Sequence, residues 1–332
     1  MRQLRFGVVG IGRIVEGTMA PAMVAEPEIE LVAATSRDQG RADAFAEKFG
    51  ARYAYTDFAE MVANPEVDAV YIATPNAQHY EQVLAAAKAG KHVFCDKPMG
   101  ISAAEGRAEV EACQQAGVKL GINFHNRHLP WVRDAKQLIA DGVIGDVTTI
   151  QVEAGAFVTP PKDWRNDPAL AGLGTLYSQG VHVLDFMGYL LDSLPVEAGA
   201  LFDDERGRYQ VETEAMVLLR FANGTKAYMN CNQSNPYPQN DIAIYGTKGR
   251  ITGISVTRSR IDGELRVRTE QGETVTPYPS PGAHRLSLAA FAHAVLDGQT
   301  PNASGEDGLR SMELTDAIAQ SVAEHRFVSL SY

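Results

Sequence analysis

Ser178 and His182 stand four residues apart in the stretch Gly-Leu-Gly-Thr-Leu-Tyr-Ser-Gln-Gly-Val-His that begins at Gly172. Lys97 lies between Asp96 and Pro98 behind a short apolar run, and Gly10-Ile11-Gly12 follows another such run near the start. A histidine, with a reference pKa of about 6.5, takes or gives a proton near neutral pH. A lysine can donate to a carbonyl oxygen while hydride arrives at its carbon. A glycine turn lets a pyrophosphate approach the backbone at a helix start. Together these residue types point to hydride transfer between a dinucleotide and a carbonyl or hydroxyl carbon.

The elements that position them form two patterns. Up to about residue 123, short apolar strands (Phe6–Val9, Leu31–Thr35, Ala69–Ala73, His92–Cys95 and Lys119–Asn123) alternate with helical stretches (Arg41–Phe49, His79–Ala89 and Ala103–Ala116). Continuous apolar runs of this length suit parallel strands buried on both faces, so the pattern is that of a doubly wound α/β sheet. Beyond residue 124 the spacing changes. A helix near Trp131–Ala140 leads to a strand at Val147–Ala156, an irregular stretch with Pro160, Pro161 and Pro168, and a helix over Leu176–Leu191. Strands follow at Val211–Phe221, Thr225–Cys231, Ile242–Tyr245, Ile251–Val256 and Leu265–Thr269, with hairpin signals at Asn223-Gly224 and Asp262-Gly263. This predicts an α+β domain on a large, open, mostly antiparallel sheet. The boundaries expected are 1–123 for a dinucleotide-binding domain and 124–332 for a substrate and oligomerisation domain. Helices near Leu286–Leu296 and Leu309–Ala323 are expected to pack back on the first.

The turn at Gly10-Ile11-Gly12, with Arg13 and Ile14 completing it, follows a strand and opens a helix, the context that a dinucleotide fingerprint requires. Val15 occupies the position of the fingerprint's third glycine, a departure that would move the helix slightly off the strand. The second strand ends at Ser36-Arg37 rather than at the Asp or Glu that would bind a ribose 2′-hydroxyl. A hydroxyl beside a guanidinium suits a 2′-phosphate, and Arg13 can join them. NADP(H) is therefore the preferred cofactor, with NAD(H) as the other option. Lys97, at a strand's C-terminal end, sits where open α/β sheets bind ligands, and Pro98 leaves its preceding bond open to the cis form.

Composition limits the alternatives. The 332 residues are 45% hydrophobic and 21% charged, a length and balance suited to a globular protein of about two domains. No run of 18 apolar residues is present, so no membrane partner is expected. The net charge of -11 argues against nucleic acid. Arg258-Ser259-Arg260 and Arg266-Val267-Arg268 read as a solvated strand face. Three scattered cysteines form neither a disulfide frame nor a metal site, and the first residues show no secretory signal, so the cytoplasm is expected.

In order and spacing, the glycine turn, Asp96-Lys97-Pro98, the glycine-rich segment before His182 and Ser304-Gly305-Glu306-Asp307-Gly308 resemble the Gfo/Idh/MocA oxidoreductases along essentially the whole chain. Ser36-Arg37 and the His-Asn-Arg and Trp-Arg segments are most similar to the NADPH-dependent 1,5-anhydro-D-fructose reductase branch. The resemblance implies a Rossmann domain, a second domain whose open sheet often forms a homodimer or homotetramer interface, and a sugar or polyol substrate. It puts the catalytic lysine at Lys97 and a catalytic histidine at His182. The family's acid four residues before that histidine is Ser178 here, which cannot serve as a carboxylate base and is left as a hydrogen-bond relay. Asp96 replaces the family's usual Glu and still reaches towards the nicotinamide ribose. Thr74, Pro75 and Asn76, with His79, are implied at that ribose, Asn123 and Arg127 near the nicotinamide, and Trp164-Arg165 over the cofactor. Asn76 has a second reading as a helix cap and Trp164 as packing.

Sugars need polar groups over an apolar floor. Tyr177, Gln179, Asp185, Asn232 and Tyr237 join Lys97 and His182 as substrate candidates, and Asp185 is placed to orient His182. Two other functions fit the same motifs: a non-catalytic sensor that binds NADP and a sugar, and a glucose–fructose type enzyme with tightly held cofactor.

Overall fold

The computed structural model describes residues 2–157, 163–204, 208–257, 262–279 and 282–332. Pro160, Pro161, Arg258, Ser259 and Arg260 lie outside them. Two compact units result, Met1–Phe124 with His284–Met312, and His125–Ala283 with Glu313–Tyr332.

In the first unit, strands β1 (Leu4–Val9), β2 (Ile29–Thr35), β3 (Tyr53–Tyr55), β4 (Ala69–Ile72), β5 (His92–Cys95) and β6 (Leu120–Ile122) form one sheet in the order β3-β2-β1-β4-β5-β6. Every pairing is parallel. The strand order reverses between β1 and β4, the place where a doubly wound sheet opens a crevice for a ligand. All four residues of β4 are buried, as expected of a strand covered on both faces.

Helices α1 (Ala20–Ala25), α2 (Gln39–Phe49), α3 (Phe58–Ala63), α4 (His79–Lys88) and α5 (Ala103–Ala116) connect the strands. Local chemistry sets their ends. The Asp38 carboxylate accepts from Arg41 N at 2.8 Å at the start of α2, and Gly50, at φ 77°, ends it. Ser102 caps α5, and Gly117 closes it in the same left-handed conformation. The three-residue edge strand β3 and the short α3 carry too few residues for a periodic signal and were not among the expected elements.

The second unit opens with α6 (Pro130–Ala140), followed by β7 (Val147–Gly155), α7 (Pro168–Ala171) and α8 (Val181–Leu191). Then come β8 (Pro195–Asp203), β9 (Glu214–Phe221), β10 (Lys226–Asn232), β11 (Ile242–Gly246), β12 (Gly249–Ile254), β13 (Gly263–Thr269), β14 (Gly272–Tyr278) and β15 (Val328–Ser329). The nine strands order as β14-β13-β12-β11-β7-β10-β9-β8-β15, antiparallel except for β7 and β10. Burial in β9 alternates residue by residue. Its inward residues Ala215, Val217, Leu219 and Phe221 share a core with α6 and α8. In that core the Trp131 ring meets Phe186 edge-on, with centroids 5.6 Å apart, and its Nε1 donates to the Val256 carbonyl at 2.9 Å. The opposite face carries the exposed Met216 and Leu218. Helices α9 (Ala283–Leu296) and α10 (Gly305–Glu324) complete the chain's helices, and Leu288, Phe291 and Ala292 of α9 join the core of the first unit.

Several expected elements are corrected. The helix expected from Leu176 begins as a π turn, Leu176–Gly180, before α8. The strand expected from Val211 starts at Glu214, because Glu212 and Thr213 bond to other segments: Thr175 N donates to Glu212 O at 2.9 Å and Gln233 N to Thr213 O at 2.8 Å. Asn223-Gly224 does make the β9–β10 hairpin, with Gly224 at φ 87° and its N–H donating to Phe221 O at 2.9 Å. The connection that contains Asp262 is longer than a tight hairpin and lies partly outside the described residues.

Candidate active site

The site in the first unit is built at the C-terminal ends of β1, β2, β4 and β5. Gly10 has φ +88°, and a Cβ there would lie 2.5 Å from the Ala73 carbonyl carbon and oxygen, so backbone sterics alone require glycine. Gly12 is different. A Cβ on it would meet only Gly10 O at 3.8 Å, with open space otherwise. No protein group demands that glycine, whereas a pyrophosphate approaching the backbone would. The cradle therefore fits a dinucleotide. Helix formation starts at once, with Glu16 N donating to Gly12 O at 2.9 Å, although its first turn, Val15–Met19, is a π turn. Val15, at the fingerprint's third glycine position, is fully buried in the core of the first unit. Ile14 is half-buried and Arg13 exposed.

At the end of β2, Ser36 Oγ accepts from Asp38 N at 3.3 Å and Arg37 is exposed. The acid nearest this strand end, Asp38, has its carboxylate engaged in capping α2. Arg41, which the sequence did not single out, donates from Nη2 to Ile11 O at 2.6 Å and lies 3.6 Å from Glu16. Arg13, Arg37 and Arg41 thus all belong to the segments around the glycine turn and the end of β2.

The turn carrying Lys97 is held from below. Asp96 Oδ1 accepts from Lys97 N at 3.0 Å, and the Lys97–Pro98 bond is cis. Asn123 is fully buried. Its Nδ2 donates to Tyr71 Oη at 3.3 Å and reaches Asp96 Oδ1 at 3.5 Å. Burial and the Asp96 charge push the Tyr71 phenol well above its ordinary pKa, so it stays neutral. His79 was expected against the cofactor ribose. It is instead buried, with Nδ1 2.8 Å from Pro98 O and Nε2 2.9 Å from Thr74 O, so it braces the lysine turn against the turn after β4. Thr74 Oγ1 and Gln82 Oε1 are 2.7 Å apart. Asn76 does not cap α4; it starts a 3-10 turn, and the residue before α4 is Gln78. Pro75 precedes that turn.

In the second unit His125, Asn126 and Arg127 form a 3-10 turn packed on α8. Arg127, expected at the nicotinamide, directs its guanidinium to Asp185: Nε donates to Oδ2 at 3.1 Å, and Nη2 donates to Oδ1. Both side chains are buried, and the guanidinium also lies 4.9 Å from the Tyr189 ring centroid. Asp185, expected to orient His182, thus has both oxygens engaged by Arg127. The His182 ring stands edge-on to that of His125, with centroids 4.3 Å apart. Burial, reinforced by Arg127, pushes the neighbouring His128 down to about 4.

The glycine-rich segment before His182 is pinned by Glu212, which accepts from Gly174 N at 2.7 Å and Leu176 N at 2.9 Å. A Cβ on Gly174 would come within 2.1 Å of Glu212 O, which explains that glycine. Ser178 Oγ lies 3.4 Å from the Thr175 carbonyl and receives a hydrogen bond from Gln233 Nε2. Strand parity explains Gln233. Met229 and Cys231 of β10 face the helices, so Gln233 does too, while Asn232 faces away. Sequence reading chose Asn232 on residue type; the alternation along β10 was the signal that pointed to Gln233.

Asn232 and Tyr237 instead line a cavity of about 390 Å³ on the other face, with Glu153 and Asn230. Asn232 Oδ1 accepts from Ser234 N and Asn235 N, and Tyr237 is 98% exposed. Tyr177 is buried and Gln179 half-buried in the π turn. Arg165 is exposed, pairs with Asp163 at 2.8 Å and lies 4.5 Å from the Trp164 ring centroid. Among the described residues, no cluster of His, Cys, Asp and Glu could hold a metal.

Residues 4–124 match the oxidoreductase family with an NAD-binding Rossmann fold (GFO_IDH_MocA), and residues 132–252 match the GFO/IDH/MocA C-terminal domain. A 1,5-anhydro-D-fructose reductase from Ensifer adhaerens is 32% identical over 96% of this chain and 96% of its own. The chain belongs to the Gfo/Idh/MocA oxidoreductases. Among solved structures of similar fold, an aldose-aldose oxidoreductase from Caulobacter crescentus in complex with glycerol superimposes with a TM-score of 0.92 at 29% identity, covering 99% of this chain and 100% of that one. A 3-ketoreductase from Actinomadura kijaniata in complex with NADP and TDP-benzene superimposes at 0.86 with 28% identity, covering 96% and 98%. The family's parallel nucleotide-binding sheet and its mixed, mostly antiparallel second sheet are both present. The protein is an oxidoreductase with an NAD(P)-binding Rossmann domain.

Proposed function

We propose that the protein is an NADP(H)-dependent oxidoreductase acting on a carbonyl or hydroxyl carbon of a sugar or polyol. The observation that carries this reading is the juxtaposition, at the C-terminal edge of one parallel sheet, of a turn whose Gly12 leaves a phosphate cradle open and a braced turn that carries Lys97. When bound, the nicotinamide supplies or accepts the hydride.

Lys97 polarises the substrate oxygen and donates its proton in the reductive direction. Asp96 and Asn123 hold the backbone of that turn in place. His182 is the proposed proton-exchange partner, with Ser178 on the preceding turn. Ser36, Arg37 and Arg13 favour a 2′-phosphate, and Asp38 is withdrawn from the ribose by its capping bond. Thr74, Pro75, Asn76, Trp164 and Arg165 remain proposed cofactor contacts, and Tyr177 and Gln179 proposed substrate contacts.

The reductases and dehydrogenases among its relatives support a sugar-class substrate. We further propose a homodimer or homotetramer formed through the outer face of the second sheet, where Leu201, Leu218 and Phe327 are exposed. The cytoplasm is the proposed compartment: Cys95, Cys113 and Cys231 are all free thiols. No helix among the described residues is long and apolar enough to cross a membrane.

The test is fluorescence titration with NADPH and NADH, followed by a panel of keto-sugars with the cofactor that binds. NADPH oxidation by a keto-sugar, reduced about 10²–10⁴-fold in Lys97→Met with NADPH affinity kept, is the expected result. Tight NADPH binding without turnover by any sugar would make the protein a sensor.

A further inference from the structure

Gln233 is tied down at two points. Its backbone N–H donates to Thr213 O at 2.8 Å, and its Nε2 donates to the Ser178 hydroxyl, one turn before His182. The Ser178 hydroxyl lies 3.4 Å from the Thr175 carbonyl, and the carboxamide presents its NH₂ group to the hydroxyl oxygen. The Oε1 end therefore faces away. No group among the described residues donates to that Oε1, and the side chain is half-buried on the same face of the second sheet as the helix carrying His182.

We propose that Gln233 is a specificity-determining residue whose fixed Oε1 accepts a hydrogen bond from one hydroxyl of the sugar. Ser178 serves as its positioning partner, its hydroxyl oxygen accepting from Nε2. A planar amide held at one end cannot rotate to offer a donor instead without breaking the bond to Ser178, so this position selects a hydroxyl over a carbonyl or ether oxygen. The inference rests on the sugar-oxidoreductase reading above.

The test compares wild type, Gln233→Ala and Ser178→Ala on the keto-sugar turned over best and on its monodeoxy analogues. Gln233→Ala is expected to lower kcat/KM about tenfold for the full sugar, the scale of one lost hydrogen bond, and to leave it unchanged for one analogue, the one lacking the recognised hydroxyl. Ser178→Ala is expected to give a smaller loss with the same pH profile as wild type, since the proposal gives the serine the task of holding the amide and not of passing a proton. NADPH affinity and Tm should match wild type in both variants, which separates specificity from misfolding. Equal loss on the full sugar and every analogue, or a displaced pH profile in Ser178→Ala, would overturn the assignment. Failure of the functional reading shows separately, as a wild type that binds NADPH and reduces no sugar. The same comparison then uses the Tm rise induced by the sugar in the NADPH complex, and a rise identical in wild type and Gln233→Ala rejects the proposal.

Discussion

Nδ1 of His79 lies 2.8 Å from the carbonyl oxygen of Pro98, the residue after the proposed proton donor. Its other nitrogen faces the Thr74 carbonyl at 2.9 Å. Two carbonyls can both accept only from an imidazolium, but burial lowers the pKa against the pull of Pro98, Asp96 and Thr74, so the ring is held neutral and donates to one of them. His79→Phe keeps a planar aromatic ring and removes the bond. It is expected to cost about 1–3 kcal/mol, the penalty of a buried carbonyl left unpaired, and to lower kcat more than it raises the Kd for NADPH. The pH dependence has a definite sign. A neutral buried histidine contributes stability that is complete above the unfolded pKa of about 6.5 and is lost as pH falls through its lower folded value. Chemical denaturation at pH 5 and pH 8 checks this: wild type should lose stability at pH 5 by more than His79→Phe does.

Cofactor choice turns on Ser36 and on the engagement of Asp38. Ser36→Asp places a carboxylate at the end of β2 that no helix start claims. It is expected to shift the NADPH-to-NADH affinity ratio towards NADH by at least about tenfold, or ~1.4 kcal/mol. Paired titrations of wild type and variant with the two nucleotides measure this, and an unchanged ratio would remove the 2′-phosphate argument.

The outer face of the second sheet presents Leu201 at 71% and Leu218 at 50% exposure, beside Phe327 over a groove of about 560 Å³. Apolar side chains grouped this way are the basis of the proposed association surface. Leu218→Glu places a charge where a partner would exclude water. Light scattering should show wild type as an oligomer and the variant dissociating at micromolar concentration; a monomeric wild type rejects the interface.

Glu109 of α5 is fully buried, with both carboxylate oxygens lacking a hydrogen-bond partner among the described residues. Burial first, and then the Glu105 charge, push its pKa well up, which favours the protonated form in the folded protein. A raised acid contributes stability that is complete below its unfolded pKa of about 4.3 and is lost as pH rises towards the folded value. Glu109→Met removes the penalty. Tm should rise at pH 8 by about 2–4 °C, the effect of roughly 1 kcal/mol in a domain of this size, with no gain at pH 4. An equal gain at both pH values would indicate packing rather than ionisation.

The central strands of both sheets, the glycine turn and the lysine at the end of β5 were legible in the chain because they are local, whereas β3, β8, β14 and β15 were not among the expected strands. Strands buried on both faces write continuous apolar runs, hairpins write Asn-Gly, and a dinucleotide turn writes glycines between a strand and a helix. The tertiary structure decided what each polar side chain touches. Asp185 lies three residues from His182, yet the structure engages both its oxygens with Arg127, 58 positions away. His79 reads as a ligand contact and proves to be a brace between two turns. Asn232 and Gln233 are neighbours of similar chemistry; alternation along β10 separates their faces, and the packing of β10 against the π turn Leu176–Gly180 brings Gln233 to Ser178. Glu212 and Gln233 reach the Ser178 segment from positions with no spacing rule to link them. Periodicity records which face of an element is buried, whereas a hydrogen bond between distant side chains depends on how those faces come together, and that is set only when the whole core packs.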